Sequence, residues 1–270
     1  MGLSPIEYHP WNGKRTEHGR RFVVIAESIL RRSIGSRWFL AVLIIGTFLT
    51  FALPIIFTAI SPHEGLVAED MASQLNNGVF FIFLLILAAL VCSDLIAEDK
   101  RSNSLVLYMS RALDSEGYLS GKFLGAAATL SIFAFVPPLI LAVTTIVTQS
   151  GSDYLSSVEV LGSTLVAGIW MTLLFIPLGL LISSLTDKKT YAAVATFMIV
   201  FVLGIVAGLF AENDVNWMLL GPQLVMTLSI DAIYGVDLPD GMNAWLLLLA
   251  CIAYTVIPMA VTYILLKRRE

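Results

Sequence analysis

The sequence predicts an all-α integral membrane protein with six transmembrane helices, and three observations carry that reading. Hydrophobic residues make up 57% of the chain and charged residues only 13%, against roughly 25% charged in soluble domains. Six apolar runs, near residues 38–60, 77–97, 122–148, 160–184, 190–210 and 243–266, each reach the roughly 20 residues that a helix needs to cross about 30 Å of hydrocarbon. The cations are also one-sided. All 16 Lys and Arg fall in the N-terminal arm, the 98–122 segment, Lys188–Lys189 or Lys267–Arg269. The first, third and fifth connectors carry Glu64, Glu69, Asp70, Asp153, Glu159, Glu212, Asp214, Asp231, Asp237 and Asp240 and no cation. By the positive-inside rule both termini are then cytoplasmic, and an even number of spans follows. The net charge of −4 carries no such information, because it sums the two sides.

Residues 1–37 form a polar, basic arm without the apolar core of a cleaved signal peptide. Arg20-Arg21-Phe22 resembles a twin-arginine signal only faintly, since Glu27, Arg31 and Arg32 interrupt the apolar segment it would need. Phe22, Ile25 and Ile29 instead make a short apolar stripe, continued by Arg32 and Ser33, on a basic amphipathic helix. Such a helix lies in the membrane interface with its cations near anionic headgroups. Residues 38–270 form the six-span domain. Pro54, Pro137-Pro138, Pro177 and Pro258 fall within spans, where kinks are expected. Gly204-x-x-x-Gly208 in the fifth run allows another helix to approach closely. The fifth connector, residues 211–242, reads as two short helices, Trp217–Met226 and Leu228–Tyr234, broken at Gly221-Pro222 and acting as either a gate or a plug. Cys92 and Cys251 lie inside apolar runs and read as packing residues.

The longest charged segment between apolar runs is Glu98 to Lys122. Leu105, Tyr108, Met109 and Ala112 recur at i, i+3, i+4 and i+7, which places them on one face of a short helix. Ser102, Asn103 and Ser104 are N-cap candidates before it, and Asp114-Ser115 starts a second helix that runs through Tyr118 and Lys122 into the third span. The charged cluster Glu98, Asp99, Lys100, Arg101, the apolar helix, the turn Ser110-Arg111-Ala112-Leu113 and Tyr118-Leu119-Ser120-Gly121-Lys122 resemble the cytoplasmic loop of type-two ABC exporter permeases. The resemblance implies a coupling helix between spans two and three, with Leu105, Tyr108, Met109, Arg111 and Ala112 docking a separate ATPase subunit. It also implies a connecting helix before the first span, small external helices before the last, and pairing of two permease chains around the first and fifth spans, with Gly204 and Gly208 at that interface. The chain departs from the family at Ala112, where a proline is common after the arginine, and at Asp114, near a place that is often basic.

Other chemistries lack their residues. Gly13-Lys14 has Tyr8 where a phosphate-binding loop has its upstream glycine, and Gly121-Lys122 has Glu116 there, so this chain binds no ATP and ATP with Mg belongs on a partner. His9, His18 and His63 have no zincin spacing, so no metal site is expected. Serines and threonines within the spans have no base at membrane depth. Ion coupling would leave ionisable residues at membrane depth, where each costs about 2.5–3.5 kcal/mol. Only Asp94 comes near. It stands about one turn from the end of the second run, within reach of Lys100 or Arg101, and reads as an interfacial carboxylate. The expected protein is thus a non-catalytic permease subunit in the plasma membrane, half of an ATP-driven export pathway. It pairs with a second permease chain, homo- or heterodimeric, and with an ABC ATPase, contacts lipid and binds no nucleic acid. The alternative is a secondary carrier or channel without an ATPase.

Overall fold

A backbone inside hydrocarbon has to satisfy its own hydrogen bonds, and the chain does so with helix alone. The computed structural model describes residues 21–60, 67–104, 114–148 and 154–268, and no strand occurs among them. Among the described residues, six helices are long and apolar enough to cross a membrane. Span 1 is Arg37–Ile60, span 2 Gly78–Arg101, span 3 Ser115–Thr148, span 4 Val158–Leu185, span 5 Lys189–Ala211 and span 6 Ala244–Lys267. Each sequence-predicted run is present, and the largest change is at span 3, whose helix begins at Ser115 rather than 122. Its 34 residues extend about 51 Å at 1.5 Å per residue, so it overshoots the hydrocarbon.

Before span 1 lies α1 (Arg21–Ile34). Span 1 comprises α2 (Arg37–Thr47), a π-helical turn (Phe48–Ala52) and α3 (Leu53–Ile60). A short helix, α4 (Val67–Leu75), precedes span 2, which consists of α5 (Gly78–Ser93) and α6 (Ala97–Arg101). Spans 3 to 5 are α7 (Ser115–Thr148), α8 (Tyr154–Leu185) and α9 (Lys189–Ala211). A 3-10 turn (Val215–Leu220) and α10 (Pro222–Ile233) fill the fifth connector, and α11 (Ala244–Lys267) closes the bundle. Starts are capped locally: the side chains of Ser36, Asn77 and Asn243 accept from the backbone N–H of Phe39, Val79 and Trp245.

Spans 2 and 4 form the centre, and spans 1, 5 and 6 turn most of their apolar side chains outward. Lipid tails are as apolar as leucine, so these outward faces are at no disadvantage there and helix contacts rest on packing. The close approaches mark this. A methyl group added at Gly179 of span 4 would lie 2.6 Å from Cβ of Cys92 in span 2. Phe51, Phe80 and Phe133 tie spans 1, 2 and 3 together, with Phe80 and Phe133 stacked at 5.2 Å and Phe51 edge-on to Phe80 at 5.4 Å.

The prolines are accommodated by neighbours. Pro54 has no N–H to give to the carbonyl of Thr50, four residues back. Gln74 of α4 donates to that carbonyl at 2.6 Å, and the π-helical turn falls at this place. Pro138 likewise frees the carbonyl of Ala134, and Gly168 lets span 4 approach it, since a Cβ there would stand 3.1 Å away. Spans 3, 4 and 6 continue as helix through their prolines.

The fifth connector breaks at Gly221-Pro222, between the 3-10 turn and α10, and α10 runs without interruption to Ile233. Its Val225, Met226, Leu228 and Ile230 are buried. Hydrogen bonds pin the connector to its neighbours. Asn76 donates to Asp231 at 2.6 Å, Ser163 to the Ile233 carbonyl at 3.1 Å, and Tyr254 to the Leu220 carbonyl at 2.6 Å, while Thr164 and Tyr234 share one at 2.8 Å. Burial pushes the Tyr234 hydroxyl up to about 12, against the opposing Thr164 bond, so this bond keeps its proton.

Candidate functional site at the basic end of the bundle

The 98–122 segment leaves span 2 through α6 and returns through the first turns of span 3. Between Asp94 and Ile96 the helix of span 2 is interrupted, which frees backbone N–H groups. Ser183 of span 4 meets them: its hydroxyl accepts from the N–H of Ile96 and Ala97 at 3.2 and 3.1 Å and donates to the Ser93 carbonyl at 3.1 Å. One side chain thus fastens the start of α6 to span 4.

Three ion pairs extend the fastening. Lys100, with its side chain only 6% exposed, lies 2.8 Å from Asp187 and donates to the carbonyls of Ser184 and Thr186. An ammonium has three donors, and all three are used. Lys122 of span 3 lies 2.7 Å from Asp99, with the two side chains 9% and 16% exposed. The Tyr118 hydroxyl donates to the same Asp99 oxygen at 2.7 Å, and Lys122 sits over the Tyr118 ring at 5.3 Å. Asp99 therefore closes the two ends of the segment upon each other. A buried pair of this kind contributes little over apolar packing, but loss of one member leaves an uncompensated buried charge.

The third pair joins α1 to span 2. Asp94 lies 3.0 Å from Arg32, not beside Lys100 or Arg101 as its sequence position suggests. Lys100 is turned toward the connector between spans 4 and 5, and Arg101 is exposed. The apolar stripe of α1 packs on span 3: a Cβ at Gly121 would stand 2.9 Å from the Phe22 carbonyl and 3.0 Å from Ile25, and one at Gly125 would stand 2.8 Å from Ile29. Gly121-x-x-x-Gly125 is thus the seat of α1.

Of the sequence-predicted docking residues, Leu105, Tyr108, Met109, Arg111 and Ala112 lie outside the described residues. The frame on either side of them is described. Asn103 adopts a left-handed backbone, φ 55°, where asparagine is favoured, and the Ser102 hydroxyl donates to the Glu98 carbonyl at 2.8 Å, which ends α6. Asp114 accepts from the Tyr118 N–H and opens span 3, as its sequence indicates. Gly204 and Gly208 part company. Gly204 is buried within the chain, where a Cβ would stand 3.0 Å from Oε1 of Gln223, whereas Gly208 is exposed with nothing within 4 Å.

Sequence reading missed Ser183, Arg32, Asp187 and the Asp99–Lys122–Tyr118 cluster as partners. Lys122 heads an apolar run, which reads as a cation reaching for headgroups, and no local spacing pairs it with Asp99. The family model described as ABC-2 family transporter protein matches residues 23–270, all of the chain beyond the first part of the arm. No curated protein is significantly similar to the chain.

Proposed function

The chain belongs to the ABC-2 transporter family and is an integral, multi-pass permease, and on that premise we propose that it is the membrane subunit of an ATP-driven exporter. One observation carries the finer reading: the 98–122 segment is fastened at both ends, Asp99 to Lys122 across the segment and Lys100 to Asp187 beyond span 4, with Ser183 of span 4 holding the backbone just before it at Ile96 and Ala97. A segment free to flex would dissipate a push from outside the bundle. Here a displacement of α6 has to move Ser183 and Asp187 with it, and a displacement of span 3 has to move Asp99.

In this reading a separate ATPase, carrying ATP and Mg, seats Leu105, Tyr108, Met109, Arg111 and Ala112 in a groove, with the apolar face inward. Two permease chains, identical or different, enclose the pathway, and Gly208 on the outward face of span 5 is available for their contact. Both termini and the 98–122 segment face the cytoplasm across the plasma membrane, in keeping with the cations gathered at that end.

Purification of the tagged full chain from its native membrane tests this. An ATP-hydrolysing, vanadate-sensitive subunit is expected to accompany it in stoichiometric amount. A chain that transports in vesicles with no such partner would instead be a carrier.

A further inference from the structure

We propose that the cavity between α1, the start of span 1, the end of span 2 and the start of span 5 binds the phosphate headgroup of an anionic phospholipid. The cavity is about 520 Å³, within the roughly 300–1,000 Å³ range of ligand sites. Its ionisable lining is Arg32, Lys122 and Lys189 against Asp94 and Asp99. The two carboxylates are already engaged, by Arg32 at 3.0 Å and Lys122 at 2.7 Å. Lys189 makes no ion pair among the described residues, so the lining keeps one positive charge unanswered.

Donors are available to go with that charge. Arg32 meets Asp94 through one terminal nitrogen and is otherwise open, being 62% exposed. The hydroxyls of Ser33 and Thr190 line the cavity and make no hydrogen bond among the described residues. A phosphodiester offers these donors its two unbridged oxygens.

Position selects a lipid over a soluble anion. The cavity lies where the spans end among cations, and Trp38 on its rim is 79% exposed, the place of interfacial tryptophans. The lining also includes the apolar Phe39, Leu90 and Ala193, and span 5 continues from Ala193 with exposed apolar side chains at Val194 and Met198. Acyl chains can lie along that face while the headgroup stays in the cavity. The unanswered cation favours a headgroup with net negative charge over one that carries its own ammonium. None of this depends on the transport reading.

The test is native mass spectrometry of the detergent-purified full chain with dioctanoyl phosphatidylglycerol, dioctanoyl phosphatidylcholine and inorganic phosphate. Phosphatidylglycerol is expected to give one saturable adduct, bound about fivefold or more tightly than phosphatidylcholine, and Lys189→Gln to weaken it about fivefold. Lys188→Gln is the control, because Lys188 lies over the Tyr191 ring outside the cavity and its loss should leave the adduct unchanged. Lys189 is exposed and acts on Asp94 only from behind the direct Arg32 pair, so its variant is expected to keep the fold of the lipid-free chain, which thermal unfolding checks. Equal binding of the two lipids, equal effects of the two lysine variants, or displacement of phosphatidylglycerol by phosphate at the same concentration would each overturn the proposal.

Discussion

Lys122 and Asp99 are the residues on which the basic end turns, and their pairing sets a measurable pattern. Lys122→Met or Asp99→Asn alone leaves a buried charge or donor without its partner, at a cost of about 3–5 kcal/mol for an isolated member of a buried pair. The double variant removes both charges. Thermal unfolding of the purified chain is therefore expected to place the double variant nearer the wild type than either single one; additive losses would mean that the two residues act separately. Asp231 makes the opposite case, at the other end. Burial raises its carboxyl above the ordinary carboxylate value, with the Asn76 hydrogen bond opposing. The folded chain then holds that proton more tightly than the unfolded one, so the resulting stabilisation is complete below the ordinary value and is lost as pH rises through the raised one. Asn76 Oδ1 is also buried without a partner, although Asn76 Nδ2 already donates to Asp231. An amide at 231 would donate to it and carry no charge. Asp231→Asn should thus stabilise the chain at neutral pH by about 1 kcal/mol, or about 2–4 °C, and flatten the rise in Tm that the wild type shows on acidification.

At the scale of elements, the lengths of the spans were legible and their partners were not. Hydrocarbon demands about 20 apolar residues whatever the neighbours, so every run could be placed to within a few residues, apart from span 3, whose first turns are polar because they lie beyond the hydrocarbon. Tertiary partnership has no such local requirement. Gly121-x-x-x-Gly125 carries the same small-residue signal as Gly204-x-x-x-Gly208, and it seats α1 within this chain. Replacing Gly121 with leucine drives a side chain into the Phe22 carbonyl, where nothing can yield cheaply. Protease sensitivity of α1 should rise in Gly121→Leu while the spans stay protected; unchanged sensitivity would mean that α1 is held by other contacts. Gly204 and Gly208 need separate trials for the same reason. Gly204→Leu strikes Gln223 and disturbs the connector, whereas Gly208→Leu is clear of the chain and reports on a second chain alone. Reduced crosslinking between differently tagged chains is expected for Gly208→Leu, and undiminished crosslinking would move the dimer contact away from span 5.

For the whole molecule, the family match and six apolar helices make a multi-pass permease, and the charge asymmetry is the ground for the proposal that the basic ends and the 98–122 segment share the cytoplasmic side. The proposed sidedness rests on charges that stand in the sequence itself, whereas the fastening of the segment needed the structure, since Arg32, Asp99, Lys122 and the neighbours Ser183 and Asp187 come from four separate stretches of chain. In a background lacking Cys92 and Cys251, cysteines at Gly65, Ser152 and Asp237 should react with an impermeant maleimide on sealed cells, and one at Ser102 should not. External labelling at Ser102 would invert the topology. The proposed docking is tested most directly by point charges at Leu105 and Tyr108. An unpaired charge buried in an interface costs several kcal/mol, and the same charge in solvent costs little. Leu105→Asp and Tyr108→Asp, each monodisperse and with wild-type thermal stability, are expected to purify without the ATPase, while Asn103→Asp keeps it; a well-folded Leu105→Asp that retains its full complement of ATPase would contradict docking through this segment.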